Sequence, residues 1–88
     1  MFRTQLNLIT GEKILVFAPT KALLLKQVQT EIHNGSIDGF NSGYKNTLFI
    51  FEVESEDSTK VLDSCFAYWN GQSFLTTEVI DRSLIYSR

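Results

Sequence analysis

The dipeptide Asn70-Gly71, set between two runs of alternating polarity, constrains the folding of this chain most strongly. Asn-Gly favours a two-residue type I′ turn, because both central residues of that turn need a positive φ. We therefore predict a β-hairpin over residues 61–80, with Trp69 opposite Gln72 and the other pairs following by count. Because side chains alternate along a strand, this pairing sorts the hairpin into two faces.

One of these two faces is acidic at the end of the hairpin farthest from the turn. The first face holds Leu62, Phe66, Tyr68, Leu75 and Val79. The second holds Asp63, Cys65, Ala67, Trp69, Phe74 and Glu78. Asp63 would lie opposite Glu78, and burying two unpaired carboxylates is costly, so we expect the second face outside, at least at that end. Trp69 and Phe74 then either pack at the edge of the core or form an aromatic patch for a partner. A three-residue turn would reverse the sorting on one strand.

The N-terminal residues predict a second hairpin. Alternation over 2–9 indicates a half-exposed strand at an edge of the sheet, and the apolar run over 13–18 suits a more central one. Thr10-Gly11-Glu12 supplies the turn between them. With a two- or four-residue turn, the same face would carry Leu6, Leu8, Leu15 and Phe17.

A helix is predicted from Lys21 to His33. Thr20 is a suitable N-cap, and Asn34-Gly35 provides the residues that a left-handed C-cap favours. Leu23 lies off the main apolar stripe. The stripe itself consists of Leu24, Leu25, Val28 and Ile32.

Residues 35–46 form a glycine-rich stretch that includes Phe40 and Tyr44. We interpret it as a connection that crosses the sheet, with Ile37 and Phe40 on the core, or as a functional loop. Residues 47–54 predict a further strand, in which Phe49 and Phe51 share one face. The tail 81–88 is compatible with a short strand or a helical turn.

These elements predict a single α+β domain over residues 1–88. We expect a small antiparallel sheet of about five strands with one helix packed on one face, in the order β-β-α-β-β-β. The composition is 43% hydrophobic and 20% charged, as in ordinary globular proteins. The sequence shows neither a signal-peptide core nor a membrane-spanning run, so we expect no membrane partner and a cytoplasmic location.

Residues typical of catalysis or metal binding are few. His33 is the only histidine and Cys65 the only cysteine, and no pair of potential ligands is closely spaced. Asp63 and Glu78 are better explained as solvent-exposed residues of paired strands than as a general acid and a general base. We therefore predict no catalytic residue, no metal site, no cofactor and no enzymatic activity.

The apolar surface of the predicted sheet exceeds what one helix covers. A 13-residue helix is about 20 Å long and about 10 Å wide, whereas five strands span about 24 Å. We therefore expect a second copy or another protein to pack on the sheet. The predicted function is a non-enzymatic protein-binding module, such as an inhibitor, adaptor or assembly factor, which is a homodimer and acts through an aromatic sheet face and the glycine-rich loop. The residues predicted to bind the partner are Leu23, Phe40, Tyr44, Asp63, Trp69, Phe74 and Glu78.

An alternative is a protein that binds single-stranded nucleic acid, because aromatic side chains on strands can stack on bases. The net charge of −2 argues against this function. So do the acidic residues on the same strands, which are Glu52, Glu54, Asp63 and Glu78.

Overall fold

The computed structural model describes residues 1–41 and 46–76, and within them the chain has one helix and a six-strand antiparallel sheet. The elements in chain order are β1 (Phe2–Leu8), β2 (Lys13–Ala18), α1 (Lys21–His33), β3 (Ile37–Phe40), β4 (Thr47–Val53), β5 (Val61–Trp69) and β6 (Phe74–Thr76). The predicted α+β class and element order are confirmed, and β3 is a short additional strand. The predictions for Tyr44, Glu78, Val79, the rest of the hairpin end 77–80 and the tail 81–88 lie outside the described residues.

Strand β1 lies inside the sheet, whose order is β2-β1-β4-β5-β6, and β2 lies at its edge. The predicted edge position of residues 2–9 and more central position of residues 13–18 are therefore wrong, because in the described chain β1 pairs on both sides and β2 on one. Strand β2 pairs with one side of β1 along its length, so β3 and β4 both pair with the other side of β1. Strand β4 pairs with Phe2 and Arg3, and β3 pairs with β1 from Leu6 to Leu8. The predicted packing of Ile37 and Phe40 on the core is confirmed.

Helix α1 begins and ends as its sequence predicts. The N–H of Leu23 donates to the hydroxyl of Thr20 at 3.2 Å, which caps the first turn. At the other end, Gly35 has φ +72° and its N–H donates to the carbonyl of Ile32 at 3.0 Å. The N–H of Ser36 donates to the carbonyl of Glu31 at 3.2 Å, which completes a Schellman motif.

The core lies between α1 and one face of the sheet. The helix packs mainly on β1 and β2, and its buried leucines and valine meet the even-numbered residues of those strands. The buried core cluster consists of Leu6, Ala18, Leu24, Leu25, Val28, Leu48, Ile50 and Ala67. The opposite face of the sheet faces away from the helix.

The first hairpin closes with a three-residue loop. The N–H of Leu8 donates to the carbonyl of Glu12 at 2.8 Å, and the N–H of Gly11 donates to the carbonyl of Leu8 at 2.9 Å. Gly11 has φ +91°, the left-handed position that such loops require. The loop therefore contains an odd number of residues.

This odd number corrects the predicted face of β2. Leu6 pairs with Ile14, so Leu15 and Phe17 lie on the face opposite Leu6. The prediction that Leu6 and Leu8 share a face with Leu15 and Phe17 is wrong, because it assumed an even loop. A register change of one residue turns every side chain of a strand to the other face.

The β5–β6 hairpin has a four-residue loop in place of the predicted two-residue turn. Trp69 pairs with Phe74, and the Asn70 side-chain oxygen accepts hydrogen bonds from the N–H groups of Gln72 and Ser73, each at 2.9 Å. This side-chain cap stabilises the longer loop. The predicted pairing of Trp69 with Gln72 is therefore wrong by two residues, but an even shift leaves the sorting into faces unchanged.

The face that carries Asp63 is the one that α1 covers. Ala67, on the same face, is 0% exposed and belongs to the core cluster. Asp63 itself is exposed, as predicted for its end of the strand. Near the turn the same face is buried, and Trp69 and Phe74 pack at the edge of the core, which is the first of the two arrangements predicted for them.

Candidate functional site

The face of the sheet opposite α1 carries a largely apolar surface, which Arg3 and Gln5 of β1 interrupt. No other described element of the chain covers it. Three of its leucines are well exposed, Leu15 at 56%, Leu62 at 47% and Leu75 at 40%. We call this surface the open face; it is formed by Arg3, Leu15, Phe17, Phe49, Phe51, Leu62, Phe66, Tyr68 and Leu75.

Three phenylalanine rings pack together near the centre of the open face. The rings of Phe49 and Phe51 are 4.6 Å apart and nearly parallel, with 20° between their planes. Phe66, directly opposite Phe49 on β5, has its ring centroid 4.7 Å from that of Phe49. Because each ring contacts its neighbour, the surface is arranged before any partner arrives.

Arg3 supplies the positive charge at the centre of the open face. Its guanidinium carbon lies 5.3 Å from the ring centroid of Phe51, a distance suited to a cation–π contact. Lys13 projects from the same face at the start of β2. The acidic residues Glu52 and Asp63 pair with each other on the helix side. Glu52 and Asp63 therefore do not lie beside these rings, so their charges do not argue against binding of nucleic acid to the open face.

Trp69 and Phe74 lie on the helix side of the sheet, away from the open face. Their ring centroids are 5.0 Å apart, Phe40 lies 6.0 Å from Phe74, and His33 meets Trp69 edge-on at 6.3 Å. We call these four residues the aromatic corner. The Gln29 side chain holds α1 beside it by donating to the carbonyl of Gln72 at 3.0 Å.

The structure brings together some of the predicted partner-binding residues and separates others. Trp69, Phe74 and Phe40 meet in the aromatic corner, where each is half-buried. Leu23 is exposed on a flank of α1, and Asp63 lines a small recess of about 40 Å³ at the far end of β5. The role of these residues as partner contacts stays a prediction, for a surface distinct from the open face.

Sequence reasoning did not select the open face as a site. The alternation in β4 placed Phe49 and Phe51 on one face, and the hairpin count placed Phe66 with Tyr68. Those two signals identify the rings. They do not indicate which face the helix covers.

The chemistry of the open face is that of a contact surface. It offers aromatic rings, aliphatic side chains and a guanidinium group, which are common in the centres of protein interfaces. Among the residues that the structure describes, no group of three or more His, Cys, Asp or Glu side chains is arranged to hold a metal ion. In the same residues, no helix is long and apolar enough to cross a bilayer. Comparison of the chain with protein-family models, with curated proteins and with solved structures finds no match.

Proposed function

We propose that this chain is a non-enzymatic, cytoplasmic protein-binding module, such as an inhibitor, adaptor or assembly factor, and that the open face is its docking surface. The observation that carries the proposal is the apolar open face, which has no covering layer in the described structure. Large contiguous apolar patches on a protein surface commonly mark interaction sites.

The first partner we propose for this surface is a second copy of the chain. Five strands with a mean of about six residues make a flat area of roughly 24 by 20 Å, and side-chain relief raises its accessible area toward the roughly 800 Å² that each partner buries in a standard interface. Two such sheets would pack face to face as in a β-sandwich. A symmetric dimer uses the same patch on both copies, which requires only a self-complementary surface.

Sedimentation velocity at tens of micromolar tests this proposal. We expect wild type to be a dimer and Leu62→Glu or Leu75→Glu to be monomeric, because each places a charge in the contact. Ile9→Glu is the matched control, since Ile9 is an exposed apolar residue in the β1–β2 loop. A monomeric wild type, or a dimer that both open-face variants retain, would contradict self-association through this surface.

Binding of single-stranded nucleic acid is the second candidate function. It is favoured by Arg3 and Lys13, because they are the charged strand residues among the described positions of the open face. Against it, the rings of Phe49, Phe51 and Phe66 already contact one another, and two cations provide few phosphate contacts.

Fluorescence anisotropy with a labelled oligothymidine separates the two functions. Protein binding through the open face predicts no change in anisotropy at low salt. Binding that weakens strongly between about 50 and 200 mM salt, and that Arg3→Ala abolishes, would favour nucleic acid instead.

A further inference from the structure

We propose that the outer edge of β2, with the groove between β2 and α1, binds an extended peptide as an added strand. The peptide would carry apolar side chains at alternate positions and a basic side chain facing Glu31. This site lies on a different surface from the open face, so its success or failure is independent of the function proposed above.

The first observation is that β2 ends the sheet. In the described part of the chain, β2 pairs with β1 alone. In an antiparallel ladder, directly opposite residues alternate between hydrogen-bonded and non-hydrogen-bonded pairs. The bond from the Leu8 N–H to the Glu12 carbonyl shows that Leu8 and Glu12 form a hydrogen-bonded pair. Ile14 and Val16 therefore bond to β1, and the backbone groups of Leu15 point toward the outer edge, as do those of Lys13 and Phe17.

The second observation is that β2 has little of the usual protection of an edge strand. Its register with β1 runs without a bulge, and the residues from Ile14 to Ala18 include no charge and no proline. A regular edge of this kind is a template for another strand.

The third observation is a groove beside that edge. A cavity of about 270 Å³ is lined by Ile14 and Val16 from β2 and by Gln27, Thr30 and Glu31 from α1. Gln27 and Glu31 are one helical turn apart, so this flank of the helix runs beside the strand. The other flank of α1 faces the aromatic corner, where Gln29 and His33 make their contacts.

The lining of the groove defines the peptide chemistry. Alternate side chains of an added strand would project to the helix side and lie against Ile14 and Val16. Leu23 is exposed one turn before Gln27 on the same flank of the helix, outside the lining of the groove. Glu31 is the charged residue in the lining, so a lysine or arginine of the peptide would be favoured there.

The experiment titrates ¹⁵N-labelled protein with a synthetic decapeptide of alternating valine and threonine that has lysine in place of one central valine, so that the lysine projects to the helix side with the remaining valines. The comparison peptides have glutamate in place of lysine, or N-methyl groups on alternate amides along one edge. We expect amide shifts and slower hydrogen exchange at Lys13, Leu15 and Phe17, and side-chain shifts at Gln27. The lysine peptide should bind about tenfold more tightly than the glutamate peptide, and the N-methyl peptide should not bind.

Two variants of the protein sharpen the test. Glu31→Lys should reverse the preference between the lysine and glutamate peptides. Leu15→Pro removes an outward N–H from the edge, whereas Leu15→Ala keeps that N–H and should bind like wild type. The N-methyl peptide tests the same hydrogen bonds without altering the protein, so the result stands even if Leu15→Pro fails to fold. Leu62→Glu, on the open face, should leave peptide binding unchanged.

Several results would overturn the proposal. One is the absence of shifts with all of the unmethylated peptides at millimolar concentration. Others are shifts confined to the open-face residues of β4, β5 and β6, or equal binding of the N-methyl peptide. Protection at Lys13, Leu15 and Phe17 that rises with protein concentration and without peptide would assign the edge to a second copy.

Discussion

The hydroxyl of Thr4 donates a 2.7 Å hydrogen bond to the carbonyl of Phe49, which lies 45 residues away in the sequence. Backbone pairing between β1 and β4 stops at Arg3 and Phe51, so beyond that point side chains connect the two strands. Asn41 also takes part: its side-chain amide donates to the Phe49 carbonyl at 3.3 Å and accepts from the Phe49 N–H at 3.1 Å. Phe49 is thereby held in place at the centre of the open face.

Thr4→Val tests the contribution of this hydroxyl. Because Thr4 is buried, the variant keeps the shape but removes the donor, and we expect unfolding free energy to fall by about 1–2 kcal/mol. Thr4→Ser retains the hydroxyl and should lose less. Urea denaturation measures both, and a loss for Thr4→Ser as large as that for Thr4→Val would show that the methyl group matters as much as the hydrogen bond.

Asn41→Ala tests the second connection. The variant leaves the Phe49 N–H without its side-chain partner, so we expect a loss of about 1–3 kcal/mol. Because Thr4 and Asn41 share the Phe49 carbonyl as acceptor, the double variant should depart from additivity by at least about 0.5 kcal/mol. Strict additivity in the same urea titrations would indicate that the two side chains act independently.

Gly11→Ala should destabilise the first hairpin through the backbone alone. Gly11 has φ +91°, and a Cβ added there meets nothing within 4 Å, so only the left-handed conformation opposes alanine. We expect a loss of about 1–2 kcal/mol. Gly39 is the matched control, since it has equal space without a positive φ. Thermal unfolding in which Gly39→Ala matches or exceeds the Gly11→Ala loss would contradict this explanation.

Leu6→Ala and Leu15→Ala compare the two faces of the sheet. Leu6 is in the core, and its truncation should cost about 2–5 kcal/mol because a cavity remains. Leu15 lies on the open face, and in dilute protein its truncation should change stability by less than about 0.5 kcal/mol. Similar losses for both variants would mean that another part of the chain covers the open face.

Phe74→Ala tests whether the aromatic corner stabilises the fold. Phe74 packs against the core cluster and contacts Trp69 and Phe40, so we expect a loss of about 1–3 kcal/mol. The emission of Trp69, the only tryptophan, should shift to longer wavelength as its ring gains water. Unchanged stability and emission would favour the original expectation that Phe74 serves a partner.

Local sequence patterns predicted the elements, because each depends on neighbouring residues. Thr20 and Gly35 set the ends of α1 by local hydrogen bonding, and both positions were predicted. Strand β3 was not predicted as a strand, since its four residues include a glycine and show no clear alternation. Its pairing depends on an edge of β1 that only the folded sheet provides.

The face on which each side chain lies was harder to predict, because it depends on whether two loops contain an odd or an even number of residues. The loop after β1 has an odd length, and this placed Leu15 outside against expectation. The loop after β5 differs from expectation by an even number, and the faces of that hairpin were predicted correctly. The position of α1 over β1 and β2 depends on tertiary packing, so no local pattern placed His33 beside Trp69.

The interior position of β1 has a consequence for synthesis on the ribosome. Strand β1 is translated before β4, yet Phe2 pairs with Glu52, and the Met1 carbonyl accepts a hydrogen bond from the Val53 N–H at 2.8 Å. One edge of β1 must therefore wait for β4 to be translated. During that interval a nascent chain would expose a strand that later lies inside the sheet, and a pause in translation before β4 would prolong its contact with chaperones.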